Sequence, residues 1–172
     1  MEIKRIFSFR YGKVLGITML NFFFLTMGVL HAQHKKSPTM ENKVLIQEGF
    51  NKWASGTGNF FDLLAEDIQW TITGSTPLSK TYVNKKQFMD EVIIPLNDRL
   101  SKKIIPKVTE LYADGNIVVA LWDGKATAAD GKPYNASYSW TMEIKNKKIV
   151  RVVAFLDGIE FADIMRRIPD RK

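Results

Sequence analysis

The chain has 172 residues, a formal net charge of +7, no cysteine and only two histidines, His31 and His34. Disulfides, thiol chemistry and cysteine metal sites are excluded, and the residues behind His34 offer no imidazole for a catalytic triad or a zinc site. The first 32 residues hold four basic groups and one acidic, so the remaining 140 carry +4, and no basic run interleaved with aromatics points to nucleic acid.

Lys4, Arg5, Arg10 and Lys13 precede an apolar run from Val14 to Leu30, the order of a secretory signal peptide, with cleavage expected after Ala32. The protein is then exported, periplasmic or secreted. The competing expectation is a membrane anchor made by uncleaved residues 14–30, since about 17 apolar residues is the lower edge of what spans a bilayer. Residues 33–40 read as a flexible linker and 41–172 as one domain with one core.

From Glu41 to Trp53 the apolar residues Val44, Ile46, Phe50 and Trp53 recur at near-helical spacing, which predicts an amphipathic helix ended by Ser55-Gly56-Thr57-Gly58-Asn59. A second short helix is expected over Phe60 to Ala65. Ile68, Trp70 and Ile72 alternate with Gln69, Thr71 and Thr73, a strand with one apolar face, closed by Gly74-Ser75-Thr76-Pro77. Asn84 can cap the next helix, with Gln87 reaching back; Phe88, Val92, Leu96 and Leu100 mark its buried stripe. Pro95 interrupts that stripe and predicts a kink near Ile94.

Three extended runs follow, Ile104 to Ala113, Ile117 to Ala128 and a strand beginning at Tyr134, separated by the turn signals Asp114-Gly115-Asn116 and Asp130-Gly131-Lys132-Pro133. The clearest period in the chain lies in the last of them. Tyr134, Ala136, Tyr138, Trp140, Met142 and Ile144 share one face, and after Asn146-Lys147-Lys148 a β-branched run, Ile149 to Leu156, completes a long antiparallel hairpin. A short helix from Ile159 to Arg167 ends the domain. Helices gathered before and around an antiparallel sheet make an α+β fold, in which the curled sheet wraps the kinked helix and leaves a pocket at one end.

Four stretches, WTITGSTPLSKTY from Trp70 to Tyr82, the helix opened by Asn84, the YNASYSW run and the terminal AFLD from Ala154 to Asp157, together resemble the nuclear-transport-factor-2-like superfamily. Within it they are similar to the SnoaL-like group related to polyketide cyclases and steroid isomerases. The resemblance implies a cone, a curved antiparallel sheet around three helices with an apolar cavity at the wide end, in molecules that often pair through the outer face of the sheet. It does not carry over a known chemistry. The base aspartate of the steroid isomerases falls at Ile72, their second acid at about Trp140, and their tyrosine on the first helix has no counterpart near Gln47 to Phe50. Scytalone-dehydratase-like members use histidines that this domain lacks. In an epoxide-hydrolase-like relay Asp157 matches the last acid, but no paired Arg-x-Asp precedes it.

Asp157 is the leading candidate for acid-base work because it closes an apolar strand, where burial raises a carboxyl pKa; the competing expectation is a cap on the last helix. Tyr138 and Tyr82 are its candidate helpers. Trp53, Trp70, Phe88, Trp140 and Phe155 are the candidate ligand-binding residues, although strand aromatics are more often plain core. Asp123, in the middle of an apolar strand, is expected to face solvent, and Asn135 the side opposite Tyr138. No metal and no cofactor is expected. Three functions compete: a domain that binds a small apolar molecule, a cyclase, isomerase or hydrolase that uses Asp157, and a homodimeric interaction module with a filled cone.

Overall fold

A computed structural model describes residues 37–169, so the leader and the first half of the linker, residues 33–36, lie outside the described residues. The first helix, α1 (Pro38–Ser55), begins inside the expected linker. Ser37 Oγ accepts from the Met40 N–H and Pro38 occupies the first turn, a start that the apolar spacing alone does not reveal. Gly56, at φ 70°, ends the helix in the left-handed conformation. Asn59 Oδ1 then caps a single 3₁₀ turn, Phe60–Leu63, which is shorter than the expected helix because Leu64 is already extended and opens strand β1 (Leu64–Ile72).

A two-residue strand, β2 (Thr81–Tyr82), pairs antiparallel with Trp70 and Thr71. It was too short to carry a readable period. Asn84 Oδ1 accepts from the Gln87 N–H at 2.8 Å and caps α2 (Lys85–Phe88), while Gln87 Oε1 reaches back to the Val83 N–H. The kink expected from Pro95 is a π turn over Met89–Ile93 that leads into α3 (Ile94–Asp98). Proline has no N–H to give to the carbonyl four residues back, and just before it the Ile94 N–H bonds to Met89 O, five residues back.

The remaining strands are β3 (Leu100–Asp114), β4 (Ile117–Ala128), β5 (Pro133–Lys145) and β6 (Lys148–Leu156), in a curved, open sheet ordered β2-β1-β6-β5-β4-β3. All pairs are antiparallel except β1 with β6, which is parallel. That pair departs from the all-antiparallel expectation because no local turn joins the two strands; most of the domain separates them. Three register shifts in the β3–β4 pair bend the sheet, and its concave face holds the helices. The β5 alternation behaves as read: Tyr134, Ala136, Tyr138, Trp140, Met142 and Ile144 are all buried. The last helix, α4 (Gly158–Arg167), closes one side and is tied to the β4–β5 turn by the Arg167–Asp130 ion pair.

Candidate functional site

Between the concave face and the helices lies a cavity of about 570 Å³. Three strands supply the aromatic part of its wall: Trp70 on β1, Trp122 on β4, and Tyr134, Tyr138 and Trp140 on β5. Trp53 comes from the last turns of α1, Phe88 and Val92 from the bent helical stretch, and Phe161 from α4. The chain has four tryptophans, and all four line this space.

The rings pack in sets. Trp122 stacks on Tyr138 at 3.9 Å and Trp70 on Phe88 at 4.1 Å, and both Trp70 and Trp122 stand edge-on to Trp140. Gly124 makes the Trp122–Tyr138 stack possible. A Cβ there would come within 3.2 Å of both rings and within 3.0 Å of Ile104, so any larger residue would push the stack apart. The Trp70 and Trp122 indole N–H groups are buried without a hydrogen-bond partner among the described residues.

Polar groups along the lining are few. At the rim, Ser55 and Asn59 spend their side chains on local caps, and Lys103 Nζ donates to the Asn97 carbonyl oxygen. Inside, the hydroxyls of Tyr134 and Tyr138 lie 3.0 Å apart and hydrogen-bond each other. Burial pushes Tyr134 up to about 12 and Tyr138 well above the usual tyrosine value, so both stay protonated and neutral through the physiological range. Among the described residues lining the cavity none is Asp, Glu or His.

Of the sequence candidates, Trp53, Trp70, Phe88, Tyr138 and Trp140 come together here. Three others do not. Phe155 is 57% exposed on the outer face, because β6 alternates and it is Val152 and Ala154 that turn inward. Tyr82 is buried behind the β1–β2 edge, where its hydroxyl donates to Leu78 O; it anchors the turn and does not reach the cavity. Asp157 is exposed and stands at the start of α4, with Oδ1 accepting from the Ile159 and Glu160 N–H groups. Its strand ends before the carboxylate can turn inward, so the capping alternative describes its position.

Asp123 and Asn135 face outward as expected, with Asp123 accepting from Ser137 Oγ. The residues that sequence reasoning missed are Trp122 and Tyr134. Both were legible as inward positions, Trp122 from the Val118, Ala120, Trp122 alternation of β4 and Tyr134 as the first member of the β5 face. What hid their role was the bend that brings the two strand ends around one space.

The capping role of Asp157 yields a direct test. Asp157→Ala should lower stability by about 1 kcal/mol in urea denaturation, whereas Asp157→Asn, which keeps an acceptor, should stay within a few tenths of the parent. Equal losses in both variants would mean that the charge matters beyond the cap.

No protein-family model and no curated protein matches the sequence. Solved structures match in fold. A nuclear-transport-factor-2-like protein from Burkholderia thailandensis is 18% identical, with 72% of this chain and 96% of that one covered at a TM-score of 0.58. Bal32a, from a soil-derived mobile gene cassette, is 13% identical over 76% of this chain and 100% of its own, with a TM-score of 0.62. TerC, co-crystallized with polyporic acid, is 15% identical over 76% and 99%, with a TM-score of 0.58. At these identities the likeness concerns the fold alone.

Proposed function

We propose that this chain, which has the nuclear-transport-factor-2-like fold, binds a small apolar molecule within its cone. The observation that carries this reading is the cavity itself: about 570 Å³ of space walled by four indoles. Ligand sites typically measure about 300 to 1,000 Å³ and combine apolar walls with a few polar groups. A filled cone, as the interaction-module reading requires, would leave no such space. That a protein of the same fold was co-crystallized with polyporic acid agrees with a small organic occupant.

The enzyme reading has less support. Acid-base catalysis needs a titrating group within reach of the substrate, and Asp157 is occupied outside the cavity while Tyr134 and Tyr138 hold their protons tightly. The two tyrosines serve better as fixed donors than as bases. The basic and apolar order of residues 1–32 supports export of the binding domain, and amino-terminal sequencing of the protein recovered outside the cytoplasm tests it.

Titration with the neutral probe N-phenyl-1-naphthylamine should quench the tryptophan emission saturably, at one probe per chain, because every tryptophan borders the site. Val92→Phe, which puts a ring into the space, should weaken that binding at least tenfold with the fold intact by circular dichroism. Absence of saturable quenching, or quenching indifferent to Val92→Phe, would remove the binding reading.

A further inference from the structure

We infer that the cavity selects an uncharged aromatic molecule carrying an acceptor oxygen, such as a ketone, and sets that oxygen against the Tyr134–Tyr138 hydroxyl pair. The inference deepens the binding reading above and rests on it. Two hydroxyls carry two protons, and the single bond between them, at 3.0 Å, uses one. No other described group accepts from either hydroxyl. The second proton therefore sits among apolar walls, Tyr134 being fully buried and Tyr138 only 9% exposed. A donor left in such surroundings is costly, and an acceptor brought by a ligand removes the cost.

Charge around the pair decides what kind of acceptor fits. The Asp157 carboxylate acts on both tyrosines and Glu160 on Tyr134, each opposing a negative charge at the hydroxyls. An incoming carboxylate would meet the same opposition. Among the described residues the one cation that lines the cavity is Lys103, which is exposed at the rim and already donates to Asn97 O. A cationic ammonium group, though the aromatic faces and the nearby carboxylates would attract it, carries only donors and leaves the spare proton without an acceptor. A neutral carbonyl takes the spare proton without bringing a charge into the space. The surrounding indoles and phenyl rings favour an aromatic body, because stacked and edge-on contacts add to plain burial.

Three probes of nearly equal size separate the possibilities: 2-ethylnaphthalene, 2-acetylnaphthalene and 2-naphthoate, each competed against N-phenyl-1-naphthylamine on the full domain. One net hydrogen bond makes the ketone about 5- to 10-fold tighter than the ethyl compound, and the carboxylate should be the weakest of the three. Tyr134→Phe and Tyr138→Phe singly should keep most of the ketone's advantage, because the hydroxyl that remains still has a proton to give. The double substitution should abolish it and leave the ethyl compound's affinity unchanged.

An ethyl compound that binds as well as the ketone, a carboxylate that binds tightest, or a preference that survives the double substitution would each overturn the inference. The first two outcomes are read on the unaltered protein, so the test does not depend on the double variant folding. If the ethyl compound binds and the ketone gains nothing, only this inference falls. If the probe binds but none of the three displaces it, this inference falls and the binding reading stands; the binding reading falls only if the probe itself fails to quench saturably or quenches indifferently to Val92→Phe.

Discussion

Trp140→Ala is expected to lower stability by about 3 to 5 kcal/mol, a loss to be measured by urea denaturation with circular dichroism. A tryptophan on the wall of an open cavity would ordinarily cost less, because one side of its ring has no protein atoms to lose. Trp140 differs in that its ring is shared by three layers of the fold. It meets Phe50 and Trp53 of α1, Phe60 of the 3₁₀ turn, Trp70 of β1, and Trp122 and Tyr138 of the sheet, with centroids between 4.7 and 6.4 Å away. It is also the ring on which the edge-on Trp70 and Trp122 lean. Truncation removes the contact between helix and sheet and leaves a void that these neighbours cannot refill without leaving their own rotamers. A loss below about 1.5 kcal/mol would mean that the ring mainly borders empty space, and the aromatic cluster would have to be regarded as ligand wall with little part in the core.

Arg99→Met should cost about 2 to 4 kcal/mol and loosen the α4 side of the cavity. Arg99 is the buried charged residue of the described domain, 5% exposed. Its Nε donates to Ile168 O and its Nη1 to Pro95 O, each at 2.8 Å, so one side chain ties the end of α3 to the residue that follows α4. Methionine keeps the aliphatic stem but leaves both carbonyls without that donor; two hydrogen bonds from a charged donor, at about 1.5 to 3 kcal/mol each, are offset in part because methionine avoids the desolvation cost of the buried guanidinium. Because Phe161 of α4 lines the cavity, the loosening should also appear as faster amide exchange at Ile168 and along α4, while exchange in β4 and β5 stays slow. A loss under 1 kcal/mol with unchanged exchange would show that α4 is held by its apolar face alone.

The elements of this fold were legible where burial imposes a period. The β5 face from Tyr134 to Ile144 alternates strictly because one side packs against helices and the other meets solvent, and the same logic exposed β4, β6 and the stripe of the bent helix as far as Leu96; Leu100, expected on that stripe, opens β3 instead because the helix ends at Asp98. Caps and breaks were legible for the same local reason. Asn84 supplies an acceptor to the turn that follows it, and Pro95 withholds an N–H wherever it is placed. Elements whose start depends on one side chain were less so: Ser37 extends α1 into a stretch that composition describes as linker, and β2 exists only because β1 offers it an edge.

The site divides along the same line. By itself the sequence determined that residues 37–169 contain no cysteine or histidine, that aromatic side chains crowd one face of the strands, and that a meander ends in a carboxylate beside a glycine. All of these follow from composition and from periods that a few neighbouring residues carry. Only the tertiary structure decided which of those side chains share a space. It set Phe155 outside by the parity of a single position on β6, spent Asp157 on the backbone of α4, and brought Tyr134 and Tyr138 within one hydrogen bond of each other in a cavity walled by indoles from four elements. The reason is that parity at a strand end, register between strands distant in the chain and the bend of a sheet are properties of paired backbones, and a period within one strand holds no information about its partner.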